Sequence, residues 1–122
     1  MKLTVLGKYG PFPKAGGATS GYLLEAENKK MLLDLGSGVF SEFEKFVAPE
    51  TVDAIVITHF HFDHSSDALI FAYYLQQLEN RGLFDRKIKL FCPKSENPLC
   101  KAICDFKYFD VRYIEEEEFS DI

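Results

Sequence analysis

Two short runs constrain the fold of this chain more than any other feature. Met31-Leu32-Leu33 and Ala54-Ile55-Val56-Ile57 are apolar at consecutive positions rather than at alternate ones. Strands of that kind are buried on both faces. Around them, strand-like and helix-like segments take turns. Residues 2–6, 22–27, 30–35, 53–58, 87–92 and 108–114 read as strands, and 39–47, 67–80 and 97–105 as helices. Val39, Phe43, Phe46 and Val47 fall on one face of the first helix, which Pro49 stops. Ser65, Ser66 or Asp67 caps the second, which ends near Gly82. Asn28-Lys29 marks a hairpin, while 7–21 and 59–66 read as loops. The order is an α/β pattern. Three short helices cover one face of such a sheet and leave the other without a layer.

A chain of 122 residues fits one domain, 1–122, and neither a repeat nor a linker divides it. With 47% hydrophobic and 15% aromatic residues it carries enough apolar volume for a core, which excludes a disordered chain. No apolar run approaches the ~20 residues of a membrane span, and the apolar start breaks at Gly7-Lys8, too early for a signal peptide. The net charge of −5 sits at one end. Residues 1–109 hold 13 basic and 13 acidic groups, whereas 110–122 hold one against six, so 115–122 is an acidic, solvated tail. A neutral body argues against long nucleic acid as a partner. Three cysteines make an odd count, which suits a reducing cytoplasm better than a disulfide framework. Cys92, Cys100 and Cys104 read as small buried hydrophobes.

All three histidines lie within six residues, in Thr58-His59-Phe60-His61-Phe62-Asp63-His64, directly after an apolar strand. Imidazole and carboxylate suit zinc and similar divalent ions. Two apart in extended chain, His59 and His61 project to one side and can grip one ion. Asp63 and His64 follow where the chain turns and can diverge toward a second. Two ions roughly 3.5–4 Å apart would share a hydroxide and clamp an ester or amide oxygen. Phe60 and Phe62 read as packing residues that hold the loop.

The His59-x-His61-x-Asp63-His64 motif resembles that of the metallo-β-lactamase superfamily. Asp34-Leu35-Gly36-Ser37-Gly38 is similar to that family's first motif, an Asp at a strand end, and the opening MKLTVLGKYGPFPKAGGATSGYLLE resembles the ribonuclease Z-like branch. The resemblance implies an αββα sandwich of two similar halves. This chain matches the N-terminal half, a mixed sheet with helices on one face. It implies a hydrolase in which metal hydroxide attacks an ester-like bond, in this branch a phosphodiester, and the neutral body makes a short or small-molecule substrate the expectation. It also implies two divalent ions, zinc first, with manganese or iron as alternatives. By the same resemblance His59 and His61 bind one ion and Asp63 and His64 the other. Asp63 also orients the attacking water, and Asp34 accepts a hydrogen bond from a ligand imidazole. Asp67 either joins that outer set or caps a helix. Ser65 and Ser66 are caps rather than nucleophiles.

The family pattern continues with a His, a bridging Asp and a final His. This chain has no histidine after His64. Each ion is therefore left with two protein ligands, where catalytic zinc takes three and a water. Two expectations follow. Either the remaining ligands come from a C-terminal half or a second copy, or the chain is a non-catalytic half-domain that self-associates through its open sheet face.

Overall fold

The computed structural model describes residues 1–116. Glu27 and Asn28 adopt φ of 50° and 64°, the left-handed pair that a tight two-residue hairpin turn requires. They join β2 (Gly21–Ala26) to β3 (Lys29–Leu33), and β1 (Lys2–Gly7) pairs antiparallel with the other edge of β2. From β3 onward the pairing is parallel. β4 (Ala54–Val56), β5 (Ile88–Cys92) and β6 (Phe109–Tyr113) follow in spatial order, giving a six-stranded mixed sheet β1-β2-β3-β4-β5-β6. Parallel neighbours need crossovers. These are α1 (Val39–Phe43) with a 3-10 turn at Pro49–Thr51, then α2 (Phe62–Ser65) with α3 (Asp67–Asn80), and finally α4 (Pro98–Cys104). A 3-10 turn, Ile114–Glu116, ends the described part. There Glu115 accepts from the Lys94 N–H and Glu116 pairs with the Lys94 ammonium, so these two acidic residues are anchored. The rest of the acidic tail lies outside the described residues.

The register separates the two faces of the sheet. Leu23, Leu32, Ile55 and Leu90 are cross-strand partners in sequence, and none is exposed. Against them pack Val39, Phe40 and Phe43 of α1, Phe71, Ala72 and Leu75 of α3, and Ile103 of α4. The opposite pleat carries a second row, Val5-Tyr22-Leu33-Val56-Phe91, beside Leu3-Leu24-Met31. Leu3 and Val5 are more than half exposed, and the others are only partly buried. Thus Leu33 and Val56, read from sequence as buried on both sides, face a side that no helix of the described residues covers.

Four local expectations are corrected. β3 ends at Leu33, not at residue 35, because Asp34 turns left-handed at φ 62°. The first helix ends at Phe43, and the chain tightens into a turn closed by the Phe46 N–H on the Phe43 carbonyl. Phe46 consequently leaves the apolar face and is 50% exposed. The segment 59–66 is not all loop, since α2 occupies its second half. None of the three candidate caps closes α3 with its side chain. Ser66 sits at the N-cap without a cap hydrogen bond, the Ser65 hydroxyl donates to the His61 carbonyl, and Asp67 accepts from the Phe40 N–H at 2.9 Å, tying α3 to the start of α1. Burial pushes the Asp67 carboxyl above its ordinary range, and the backbone donors of Phe40 and Gly38 oppose that shift.

The two faces predict different mutational costs. Leu32→Ala should destabilise the fold by roughly 2–5 kcal/mol, the range for emptying a well-packed site. Leu24→Ala, on the open face, should cost less than half as much. Urea denaturation of the two variants checks this, and equal losses would contradict the assignment of the faces.

Candidate metal centre

Parallel pairing sets Leu33 of β3 beside Val56 of β4, so both strands leave the sheet at the same end. Asp34 is the next residue on β3. Its N–H donates to the Val56 carbonyl at 2.7 Å, and its left-handed backbone turns the side chain, 7% exposed, toward the segment after β4. Asp is among the few residues that adopt this conformation readily. The carboxylate accepts from the Thr58 N–H at 2.8 Å, from the Thr58 hydroxyl at 3.0 Å, and from His64 Nδ1 at 2.7 Å.

These contacts dictate where two imidazoles carry their protons. An ionised carboxylate can only accept, so neutral His64 is protonated on Nδ1 and turns a bare Nε2 outward. The Thr58 hydroxyl spends its single proton on Asp34. At 3.0 Å from His59 Nδ1 it must therefore accept, which leaves His59 with a bare Nε2 as well. The ring centroids of His59 and His64 are 4.1 Å apart, and those of His59 and His61 are 4.7 Å apart. Asp63 Oδ2 lies 3.5 Å from His64 Nε2. The structure thus gathers all four motif residues with Asp34, and it sets His59 nearer to His64 than to His61.

The backbone of the motif is also held by the turn after β3 and by the residue that precedes β2. Leu35 N–H donates to the His64 carbonyl at 2.8 Å, and Ser20 N–H to the Asp63 carbonyl at 3.0 Å. Gly36 makes this approach possible, because a Cβ there would lie 2.1 Å from the Asp63 carbonyl oxygen and 2.0 Å from Thr19 Oγ1. Phe60 is packed, at 2% exposure, as the sequence suggests. Phe62 is not. It is 70% exposed, because α2 begins at this residue and turns its side chain outward. Asp67 does not join the histidines, being spent on α1. Two participants are not marked as such by the sequence. Thr58 is an ordinary strand residue until its hydroxyl is seen between Asp34 and His59. Asn97 is legible as the cap of α4 from Asn97-Pro98, but not as a neighbour of the motif, where its Nδ2 donates to the Phe60 carbonyl at 3.2 Å.

The donor set matches a divalent ion in kind, with imidazole nitrogens and a carboxylate. It matches also in orientation, since metal-binding histidines commonly anchor the second ring nitrogen on a carboxylate or similar group. Among the described residues no three His, Cys, Asp or Glu side chains converge to enclose an ion. These donors are of the kind that could form part of a coordination sphere, not an enclosed one. The cysteines take no part in it. Cys92 and Cys104 sulfurs are 3.9 Å apart, and that contact, with burial, holds the Cys104 thiol well above its ordinary pKa and therefore neutral.

Asp34→Asn keeps a residue that tolerates the left-handed backbone but sets the amide's N–H side against either the Thr58 donors or His64 and Ser20. The amide oxygen should stay with Thr58, and His64 should then switch to the Nε2-protonated tautomer. Long-range proton–nitrogen correlation spectra of the imidazoles should report that switch, with a stability loss of about 1–3 kcal/mol for the mismatched buried group. An unchanged His64 tautomer would contradict the role given to Asp34.

Comparison with known proteins agrees with this arrangement. The family model for the metallo-beta-lactamase superfamily matches residues 15–76, half of the chain, spanning the Asp34 turn and the histidine motif. The probable metallo-hydrolase YhfI of Bacillus subtilis is 48% identical over 67 residues, which is 55% of this chain and 28% of that protein. Ribonuclease Z of Methanopyrus kandleri is 28% identical over 126 aligned positions, covering 100% of this chain and 43% of its own length. The crystal structure of Bacillus subtilis YhfI superimposes with a TM-score of 0.84 at 28% identity over 91% of this chain and 45% of that one. Human tRNase Z, short form, shares the fold at a TM-score of 0.65 and 24% identity, over 85% of this chain and 38% of that one. The chain thus spans less than half the length of each of these relatives. On the family match, the motif and the sheet that presents it, the chain belongs to the metallo-beta-lactamase superfamily.

Proposed function

We propose that this chain is the metal-binding half of a hydrolase acting on a short phosphodiester, with His59, His61, Asp63 and His64 as ligands and Asp34 as the residue that orients them. One observation carries the reading. The Asp34 carboxylate holds both Thr58 and His64, and the His59 and His64 rings stand with centroids 4.1 Å apart at the carboxyl end of β3 and β4. His59 and His61 form one donor pair, Asp63 and His64 the other. Divalent ions held there, zinc ahead of manganese or iron, would lower the pKa of a bound water and polarise an ester oxygen. Asp63 is the acceptor that orients the attacking water. The phosphodiester draws support from the likeness to ribonuclease Z of Methanopyrus kandleri, which runs along the whole chain. A short substrate suits the zero net charge of residues 1–109, which offers no basic track for a long strand. No helix among the described residues is long and apolar enough to cross a membrane. Three cysteines, none of them in a disulfide, favour a cytoplasmic setting.

The test is zinc binding by competition with a chromophoric chelator. Each of His59→Ala, His61→Ala, Asp63→Ala and His64→Ala should lower affinity or stoichiometry. Asp34→Asn, which removes no donor, should weaken binding by about 10–100-fold. Unchanged binding in all five variants would overturn the site.

The open sheet face belongs to the same proposal. Tyr22, Leu24, Met31, Leu33, Val56 and Phe91 form a continuous apolar surface of a kind that monomers seldom leave in water. In the complete hydrolase a second apolar layer covers it and supplies the missing ligands. Alone in solution, residues 1–122 should pair through it and turn over an activated phosphodiester negligibly. Sedimentation velocity should then show self-association that Leu24→Lys abolishes. A monodisperse monomer with robust turnover would refute both parts. Self-association without zinc binding would favour the other reading, a non-catalytic half-domain.

A further inference from the structure

The three cysteines come together where the end of β5 meets α4. Cys92 closes β5, and Cys100 and Cys104 stand one turn apart on α4. The Cys92 and Cys104 sulfurs are 3.9 Å apart, and the Cys104 thiol also meets that of Cys100. Tyr113, the cross-strand partner of Cys92, borders all three. Cys104, then burial, then Cys100 and Cys92 raise its phenol above the ordinary range. Cys92 and Cys100 are buried, whereas Cys104 is partly exposed and gives solvent a route to the pair. Neither of the two thiols on α4 is set up for disulfide chemistry. Contact with Cys92 and burial keep the Cys104 thiol neutral, and burial with Cys104 raises that of Cys100, so both are poor nucleophiles. A metal ion needs no such activation, because it displaces the thiol proton as it binds.

We infer that Cys92 and Cys104 form a second metal site, for a soft divalent cation of the zinc group, with Cys100 as its third sulfur. Thiolates select ions of this kind. Two sulfurs 3.9 Å apart and each about 2.3 Å from one ion subtend roughly 116° there, between the tetrahedral and trigonal values. On binding, each ligating thiol loses its proton to water. Two thiolates and a divalent ion then sum to zero charge, which suits a buried pair. No three side chains among the described residues enclose an ion as they stand. The Cys92–Cys104 pair is therefore preformed, and the Cys100 side chain turns in to complete the set. Such an ion clips α4 to β5. Asn97, the cap of α4, donates to the Phe60 carbonyl, so the clip also braces the loop that carries the histidines. The inference does not rest on the hydrolase reading, whose donors are nitrogen and oxygen.

Titration of the reduced 122-residue chain with cadmium ion tests this, followed by the ultraviolet sulfur-to-cadmium charge-transfer band. The band reports thiolate ligation and is silent to imidazole and carboxylate. It should saturate in the wild type and keep its full height in His61→Ala. Cys104→Ala trims a partly exposed side chain, so the fold should survive, and the band should be lost. Cys100→Ala should lower the band without abolishing it. Should Cys104→Ala fail to fold, iodoacetamide labelling of the wild type decides instead, since bound cadmium should shield Cys104. A wild type without the band, a band that survives Cys104→Ala, or Cys104 labelling that cadmium leaves unchanged would overturn the inference. Cadmium bound without the band belongs to the histidine motif, so that site stands and this one falls. A band that persists when the four motif variants bind no less zinc than the wild type leaves this site standing while the hydrolase reading falls.

Discussion

The carboxylate of Asp34 is the point on which this end of the molecule depends. A buried charge is costly unless its hydrogen-bonding capacity is met. Here it is met by a backbone N–H, a hydroxyl and an imidazole from the segment 58–64, with the Ser20 hydroxyl at 3.5 Å. The same contacts that compensate the charge decide which nitrogen of each imidazole keeps its proton. Position and chemistry are therefore set by one group. Its own placement comes from two sources: the parallel register that brings β3 and β4 out of the sheet together, and a left-handed φ of 62° at the first residue past the ladder.

The sheet explains why the motif can be exposed and yet rigid. Its helix-covered face is closed by Phe43, Phe71, Leu75 and Ile103, all without exposure. β4, only three residues long, lies between two parallel neighbours, and its exit is held on both sides. The Asp34 N–H bonds to the Val56 carbonyl, and the Ile57 N–H to that of Phe91. Leu35, in the turn after β3, then holds the His64 carbonyl and Ser20, just before β2, the Asp63 carbonyl, an approach that Gly36 permits. Ligands gather at the carboxyl ends of parallel strands in open sheets because the loops there converge while the strands stay fixed. The other face of the same strands carries a comparable apolar row with no layer over it. The asymmetry follows from the pleat, with alternate side chains of one sequence serving two different surfaces.

Much of this was legible residue by residue. The six strands lie where the apolar runs are, α3 spans the residues its periodicity marks, and the hairpin turn falls at Asn28 with its neighbour Glu27. The motif was legible because three histidines and an aspartate at that spacing have few other uses. What misled was local and has local causes. Phe46 looked apolar-facing because helical spacing was carried past the point where the helix ends. Ser65, Ser66 and Asp67 all look like caps of the helix they precede, yet one binds the His61 carbonyl, one makes no cap bond, and one serves a different helix. Phe62 looked like its neighbour Phe60, and a single turn of helix separated their environments.

By itself the sequence disclosed the fold class through its apolar runs, the family through the resemblance of its motifs, and the side chains proposed as metal ligands through their spacing along one chain. Only the tertiary structure decided that Thr58 links Asp34 to His59 and that His64 stands closest to His59. It alone decided that Asp67 belongs to α1, and that Asn97 comes from more than thirty residues away to hold the Phe60 carbonyl. The physical reason is common to all four. A hydrogen bond depends on direction over about 3 Å, and spacing along the chain carries no information about which distant donor will arrive at that distance.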